Sequence, residues 1–153
     1  MISATDPAPD FTLPRDGGGT VTLSAQRPGK VVLYFYPKDD TPGCALEAQD
    51  FNARLADFTA AGATVIGISK DSVKSHDKFC KKHGLGIVLA SDETGTTCED
   101  YGVWQEKSMY GKTYMGIQRA TFLIGGDGRV ALDADLGPNP CHAAEVLAAV
   151  KAL

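Results

Sequence analysis

The sequence predicts an α/β domain built on a mixed sheet, with parallel strands in the middle, a hairpin at one edge and helices flanking the sheet. The first observation is the order of the elements, because residues 31–36 and 63–69 are typical of buried strands and enclose the helical stretch 44–58. A strand, a helix and a second strand in this order form parallel neighbours. The second observation is a hairpin signal, since glycines separate the apolar runs 119–124 and 129–132.

The remaining elements follow from turn residues and from the period of the apolar positions. Asp16-Gly-Gly-Gly19 separates two alternating stretches and indicates an N-terminal β-hairpin. Asp71-Ser72 can cap a helix that ends before Gly84. The predicted elements are the hairpin strands 10–13 and 20–23, a helix over 73–83, a strand over 87–90, a helix over 94–101, a loop over 105–116 and a last helix over 143–153.

Length and composition are those of one globular domain, residues 1–153, with 43% hydrophobic residues available for a core. The chain carries 15 basic and 19 acidic residues, and its net charge of −4 argues against nucleic acid as a partner. No signal-peptide pattern opens the chain, and no apolar run approaches the ~18 residues that a membrane span needs. We therefore expect a cytoplasmic protein that does not enter a membrane. Its four cysteines are too sparse for a disulfide-stapled secreted scaffold.

Cys44 stands at the start of the helix that follows the first buried strand. The turn-forming residues Asp39, Asp40, Pro42 and Gly43 lie between the strand and this cysteine. Unpaired backbone N–H groups and the positive end of the helix dipole favour the thiolate over the thiol at such a position. The sequence also allows a simpler interpretation, in which Cys44 is a small buried hydrophobic residue at the end of the apolar helix face.

Several short motifs accompany this cysteine. They are Pro37-x-x-x-Thr41-x-x-Cys44, Phe35-Tyr-Pro-Lys, Thr41-Pro-Gly-Cys44, Lys78-Phe79, Ser91-Asp-Glu93, Tyr110-Gly-Lys and Gly116-Ile-Gln-Arg-Ala-Thr-Phe-Leu-Ile124. In order and spacing they resemble the peroxiredoxins, and in particular the peroxiredoxin Q group, also called bacterioferritin comigratory proteins. The resemblance implies a thioredoxin-like fold and the reduction of hydrogen peroxide and organic hydroperoxides. It also implies that thioredoxin or a similar dithiol protein is the reductant.

The resemblance gives each residue of the signature a role. Cys44 is expected to attack the peroxide, because the thiolate is the nucleophilic form of cysteine. Arg119 is expected to hold the thiolate and a peroxide oxygen with its guanidinium and to stabilise the developing charge. Thr41 is expected to bond to sulfur or peroxide, and Pro37 to shield the sulfur from water. Without the resemblance, the last three residues read as a surface arginine, a turn hydroxyl and a strand terminator.

A second thiol is expected to condense with the sulfenic acid of Cys44 and form a disulfide. Many relatives carry this resolving cysteine five residues after the attacking one, where this chain has Gln49. Other members of the group place it on the following helix, and Cys80 matches that second arrangement. The alternatives are Cys98, Cys141 and a thiol of another molecule.

Two other functional classes compete with the peroxidase. A disulfide reductase of the thioredoxin type needs Cys-x-x-Cys at the helix start, and this chain has Glu47 at the second cysteine position. A non-catalytic thioredoxin-like binding or chaperone module is the alternative function, although it would not need the whole signature. No cofactor and no metal are expected. Relatives in this group are often monomeric, so a monomer is expected.

Overall fold

The computed structural model describes residues 1–134 and 142–153, without the side chains of 132–134. Its strands are β1 (Thr12–Pro14), β2 (Thr20–Thr22), β3 (Lys30–Phe35), β4 (Ala63–Ser69), β5 (Val88–Ser91), β6 (Trp104–Met109), β7 (Lys112–Ile117), β8 (Ala120–Ile124) and β9 (Val130–Ala134). Its helices are α1 (Pro42–Ala53), α2 (Leu55–Ala60), α3 (Val73–His83), α4 (Thr97–Asp100) and α5 (Ala143–Ala152), with a 3-10 turn over Ser24–Gln26. Cys141 lies outside the described residues.

A five-stranded sheet in the order β5-β4-β3-β8-β9 forms the centre of the fold. Strands β3, β4 and β5 run parallel to one another, whereas β8 is antiparallel to β3 and β9 is antiparallel to β8. The prediction of a mixed sheet with a hairpin at one edge is therefore confirmed. The central position of β3 follows from its sequence, since a run that is apolar on both sides is stable only between two covered faces.

Side chains of β3 alternate between two hydrophobic clusters, one on each face of the sheet. Val31, Leu33 and Phe35 belong to the first cluster, which includes residues of the N-terminal hairpin and α4. Val32 and Tyr34 belong to the second cluster, together with side chains of α1, α2, α3 and α5. The peroxiredoxin signature follows directly on this strand, so both clusters fix the position from which the signature starts.

The predicted helix over 44–58 is wrong in one respect, because the chain forms two helices there. Arg54 separates α1 from α2 with φ −110° and ψ 12°, which are not helical dihedrals. Phe58 of the second helix is buried, with its ring centroid 5.8 Å from that of Phe51 in the first. Neither glycine nor proline marks this break, and the apolar spacing continues across it, so the sequence carries no local signal for it.

The predicted loop over 105–116 is a β-hairpin formed by β6 and β7. Tyr110 and Gly111 make its turn, with φ angles of 51° and 75°. Two successive positive φ angles are the geometry of the tight turn that matches the twist of a two-stranded ribbon. The sequence does not predict these strands because their middle residues are exposed and their side chains show no apolar alternation.

The other boundaries agree with the sequence within a few residues. Helix α3 and strand β4 span the predicted residues, and Ser72 caps α3 through a hydrogen bond from the Ser75 amide at 3.1 Å. The N-terminal hairpin is present as the antiparallel pair β1 and β2, which forms a sheet of its own. Helix α4 is shorter than predicted and begins at Thr97. Among the described residues, no helix combines the length and the apolar character that crossing a membrane requires.

Phe51 joins α1 to the sheet, and we expect Phe51→Ala to lower the free energy of unfolding by about 3–5 kcal/mol. Its ring is fully buried and is stacked on Tyr34 at 4.7 Å between centroids, so truncation leaves a cavity. The measurement is urea denaturation followed by circular dichroism. Leu46→Ala on the same helix is the control, because a side chain that is 51% exposed should change the free energy by less than about 0.5 kcal/mol. Equal losses in the two variants would contradict this account of the core.

Candidate active site

Cys44 lies in the first turn of α1, as its position in the sequence predicts. Thr41 stands at the N-cap with extended backbone dihedrals, and Pro42 occupies the first turn, where its missing N–H leaves no helical hydrogen bond unmade. Asp40 has a φ angle of 58°, in the left-handed region that few residues other than glycine adopt. The loop therefore turns sharply after β3 and delivers the sulfur at the helix start.

Cys44 is 2% exposed, and its sulfur lies 3.4 Å from Nη2 of Arg119. Seventy-five positions separate the two residues along the chain. Sheet pairing brings them together, because β8 runs antiparallel to β3 and pairs Ala120 with Phe35. Arg119 directly precedes β8, and the active-site loop directly follows β3. The two loops therefore meet at the same end of the sheet.

Thr41 and Pro37, the other two residues of the signature, do not touch the sulfur through a hydrogen bond. The Thr41 hydroxyl donates to the carbonyl oxygen of Lys38 at 2.9 Å, which is the geometry of a turn hydroxyl. Pro37 is exposed and follows the end of β3, in the position of a strand terminator. The catalytic roles expected for Thr41 and Pro37 stay predictions.

Glu47 is a member of the site that the sequence does not single out. Its side chain is fully buried, and Oε1 accepts a hydrogen bond from Nη1 of Arg119. The other oxygen, Oε2, lies 3.5 Å from Nε2 of His142, which also contacts the Thr121 hydroxyl at 3.1 Å. The spacing of Glu47 from Cys44 is the sequence signal that could have identified it. A residue three positions after Cys44 lies on the same helix face, and a charged residue there interrupts the apolar stripe.

One guanidinium therefore faces two acidic groups, the Glu47 carboxyl and the Cys44 thiol. Burial raises the pKa of Glu47 to about 8, although the charge and the hydrogen bond of Arg119 act to lower it. Burial tends to lower the pKa of Arg119, but the charges of Glu47 and Cys44 outweigh it and raise that pKa. At neutral pH a carboxyl with this pKa is mostly protonated, so Glu47 adds little negative charge beside the Cys44 sulfur.

Cys80 lies on α3 in surroundings of the opposite charge. Its Sγ contacts Oδ2 of Asp16 at 3.7 Å, and its side chain is half-buried. Burial and then the Asp16 carboxylate raise the pKa of the Cys80 thiol to about 12. Cys80 and Cys44 are both free thiols in this structure, and each has its own polar partner.

Cys98, one of the alternatives for the resolving thiol, is fully buried on α4. It belongs to the first hydrophobic cluster, on the other face of the sheet from Cys44. Burial and the neighbouring Asp92 raise the pKa of its thiol. This placement agrees with a structural cysteine. Cys141 lies outside the described residues.

Polar contacts hold α3 against the active-site loop, residues 36–41, both in the interior and at the surface. At the buried level, Asp39 accepts hydrogen bonds from Ser75 Oγ at 2.8 Å and from Tyr36 OH at 2.6 Å, and its Oδ2 lies 2.7 Å from Nδ1 of His76. At the surface, Asp40 contacts Nζ of Lys82 at 2.7 Å and Nε2 of His83 at 3.1 Å. The helix that carries Cys80 is therefore held against the loop that leads to Cys44.

Both ring nitrogens of His76 face acceptors, since Nε2 lies 3.0 Å from the carbonyl oxygen of Ala90 and Nδ1 lies against the Asp39 carboxylate. Only the doubly protonated imidazolium satisfies both contacts at once. Burial lowers the pKa of His76, but the hydrogen bond and charge of Asp39 outweigh burial, and the pKa is raised. The pair is a buried, charged link between the loop and α3.

Metal binding has no support among residues 1–134 and 142–153, where no group of three or more His, Cys, Asp or Glu side chains is arranged to hold an ion. The chemistry of the site is that of a thiol beside a guanidinium. Set at the first turn of the helix that follows the central strand of a mixed sheet, this pair defines a thiol-dependent redox site of the thioredoxin-like class.

Comparison with known proteins identifies the family. The model of the AhpC/TSA family matches residues 4–132. Peroxiredoxin Bcp of Xanthomonas campestris pv. campestris is 48% identical over 148 residues, covering 95% of this chain and 92% of that protein. Peroxiredoxin Bcp of Bacillus subtilis is 44% identical over 144 residues, covering 94% of this chain and 92% of that protein.

A solved structure supports the same family assignment. The Xanthomonas campestris bacterioferritin comigratory protein, in a trapped intermediate/ligand complex that addresses alkyl peroxide reduction, aligns with a TM-score of 0.86 and 45% identity, covering 93% of this chain and 90% of that one. The chain belongs to the AhpC/TSA family and, within it, to the peroxiredoxin Q group. It is therefore a thiol-dependent peroxidase with a thioredoxin-like fold, as the motifs predict.

The His76–Asp39 link predicts a pH-dependent contribution to stability. Because the folded-state pKa of His76 is raised, the contribution is fully present below the ordinary histidine pKa of about 6.5 and is lost as pH rises through the folded-state value. The difference in unfolding free energy between wild type and His76→Gln should narrow over that window, by at most ~1.4 kcal/mol per pH unit. Urea denaturation from pH 6 upward measures it.

Asp39→Asn is the matched control for this experiment. It keeps an oxygen near His76 and removes the charge that favours the imidazolium, so the narrowing should disappear in that background. A difference that stays constant or widens as pH rises would show that His76 is not held as a cation in the folded protein.

Proposed function

We propose that the peroxidase activity of this chain is carried by Cys44, which attacks hydrogen peroxide and organic hydroperoxides as a thiolate. The observation that carries the proposal is the 3.4 Å contact between the buried Cys44 sulfur and Nη2 of Arg119. A guanidinium stays protonated at all physiological pH values and carries several N–H donors in a fixed plane. It can therefore stabilise the thiolate before the reaction and the departing oxygen during it.

In the first step the sulfur forms a bond to one peroxide oxygen while the oxygen–oxygen bond breaks. The sulfur becomes a sulfenic acid, and the other oxygen leaves as hydroxide or alkoxide and takes up a proton. Full ionisation alone would raise the thiolate fraction only ~30-fold over that of an ordinary cysteine at pH 7. Oriented donors must supply the larger part of the acceleration. Arg119 is the donor that the geometry supports.

Thr41 and Pro37 complete the proposed site. A rotation of the Thr41 side chain would transfer its hydroxyl from the Lys38 carbonyl oxygen to the sulfur or to a peroxide oxygen. Its position at the N-cap, three residues before Cys44, supports this role. Pro37 would shield the sulfur from water once substrate is bound. The signature of the family supports both roles.

Organic hydroperoxides are included among the substrates because of the relative whose structure addresses alkyl peroxide reduction. The site itself requires only the O–O–H group, since the thiolate and the guanidinium act on the two reacting oxygens. Hydrogen peroxide carries the same group. The proposal therefore covers both kinds of peroxide.

Cys80 is the proposed resolving thiol. Its sulfur attacks the sulfenic sulfur of Cys44, a sulfur–sulfur bond forms, the sulfur–oxygen bond breaks, and one water leaves. The two thiols have separate polar partners in the reduced fold, so these contacts must break before the sulfurs meet, through movement of the first turn of α1 or of α3, which carries Cys80 near its C-terminal end. Thioredoxin or a similar dithiol protein then reduces the disulfide. We propose that the protein works as a monomer in the cytoplasm.

The test compares peroxide consumption by wild type, Cys44→Ser and Cys80→Ser in the presence of a thioredoxin system. Cys44→Ser should abolish turnover, because the nucleophile is gone. Cys80→Ser should consume about one equivalent of peroxide and then stall or overoxidise, because the sulfenic acid has no internal partner. Non-reducing peptide mapping of the wild type should show Cys44 linked to Cys80. Full turnover by Cys80→Ser would instead indicate that the resolving thiol is Cys98, Cys141 or a thiol of another molecule.

A second prediction concerns the contact between Glu47 and Arg119. Glu47→Ala removes the acceptor that holds Nη1, so the guanidinium loses its orientation and the rate constant for peroxide reduction should fall ~10²-fold. Glu47→Gln keeps an oxygen for Nη1 and should reduce the rate constant by less than ~10-fold. Pre-steady-state peroxide reduction measures both. Equal losses in the two variants would show that the carboxyl acts through its charge and not through orientation.

A further inference from the structure

We propose that Asp16 keeps the Cys80 thiol protonated and unreactive while α3 is packed on the N-terminal hairpin, and that Cys80 becomes nucleophilic only when the helix moves away. Asp16 is a positioning residue in this proposal and takes part in no bond change. The proposal rests on the role of Cys80 as the resolving thiol. It goes beyond that role by assigning to Asp16 the timing of the reaction of that thiol.

The Asp16 carboxylate is held in place by backbone. Its Oδ1 accepts the Leu89 amide of β5 at 2.9 Å, and its own amide donates to the Leu89 carbonyl oxygen at 2.9 Å. The remaining oxygen, Oδ2, contacts Cys80 Sγ at 3.7 Å. The side chain is only 15% exposed. A carboxylate fixed to a strand edge in this way cannot swing away from the thiol as a surface side chain would.

The hairpin loop is also attached to α3 itself. The Gly17 amide donates to Oδ1 of Asp77 at 2.8 Å, one turn before Cys80 on the helix. The loop thus bridges β5 and α3, and the thiol lies between these anchors. Movement of α3 breaks the contact with Asp77 and the contact with Cys80 together, whereas Asp16 stays bound to Leu89.

The charged groups that face Cys80 are acidic on each of the three segments around it: Asp16 on the hairpin loop, Asp39 on the active-site loop and Asp77 on α3 itself. The Arg15 guanidinium lies 3.5 Å from Oδ1 of Asp16, the oxygen directed away from the thiol. A carboxylate accepts a hydrogen bond from the S–H group and repels a thiolate, so it favours the protonated form. Burial and these carboxylates together raise the pKa of Cys80 to about 12.

Release from this environment changes reactivity by a large factor. An exposed cysteine has a pKa of about 8.5, so leaving both the buried site and its carboxylates raises the thiolate fraction of Cys80 near neutral pH by a factor on the order of 10³, and Asp16 accounts for part of that factor. The thiolate then attacks the sulfenic sulfur, and the hydroxide that leaves takes up the proton that Cys80 has lost. Cys80 is oxidised as the sulfenic sulfur is reduced, and no further oxidant is needed. Before release, the protonated thiol is a poor target for external electrophiles.

The experiment measures alkylation of Cys80 by iodoacetamide in full-length Cys44→Ser, with peptide mass spectrometry to follow Cys80 separately from the other cysteines. Asp16→Asn keeps an oxygen for the Leu89 amide and removes the charge beside the sulfur. We expect alkylation at pH 8 to become at least ~10-fold faster and its pH midpoint to move downward. Asp77→Asn is the matched control, because it removes a carboxylate that faces Cys80 from the same helix, keeps an oxygen for the Gly17 amide and has no contact with the sulfur, so its effect should stay within about threefold.

Hydrogen exchange of the α3 amides separates charge from loosening. In Asp16→Asn these amides should exchange as they do in the parent, while Cys80 reacts faster. An unchanged alkylation rate, or a rise matched by equally faster exchange across α3, would overturn the proposal. Neither result depends on disulfide formation. If peptide mapping of the wild type shows no link between Cys44 and Cys80, the resolving step of the proposed function fails, whereas the alkylation data still decide the role of Asp16.

Discussion

The pairing of β3 with β8 is the constraint on which the site depends. A sulfur and a guanidinium that lie far apart in the sequence meet because these two antiparallel strands bring the end of one beside the start of the other. The register is secured by burial, since β3 is apolar on both faces and all five residues of β8 are buried. A slip by one residue would invert the faces of β8 and move Arg119 away from Cys44. Core packing thereby determines the chemistry.

The buried charges around Arg119 form one coupled system. Glu47 orients the guanidinium through Nη1 and leaves Nη2 for the Cys44 sulfur. Burial raises the pKa of Glu47 to about 8, against the charge and the hydrogen bond of Arg119, so this carboxyl takes up a proton more readily than an exposed one. The same residue therefore orients the guanidinium and limits the negative charge beside it.

The two thiols have neighbours of opposite charge, which agrees with the proposal that Cys44 reacts first and Cys80 second. Cys44 faces a guanidinium, whose charge favours an anion beside it, whereas Cys80 faces the Asp16 carboxylate, whose charge disfavours one. Helix α3 is tied to its neighbours mainly by polar contacts, and His76 and Phe79 are its fully buried residues. When a segment opens, polar contacts of this kind are replaced by hydrogen bonds to water, so their loss changes the free energy only modestly. Of the two helices that carry Cys44 and Cys80, α3 thus has the smaller number of buried residues.

Local sequence alone determined the central strands, the long helices, the position of Cys44 at a helix start and the family, because these features depend on short-range periodicity, turn residues and motif spacing. Placement of Arg119 beside the sulfur was predictable only through the family motif. The break at Arg54, the hairpin β6–β7 and the contacts of Glu47, His142 and Asp16 were decided by tertiary structure. Each of them depends on residues that are distant in the sequence. The residues next to an acidic side chain on a helix or in a turn do not indicate whether folding will place a thiol or a guanidinium beside it.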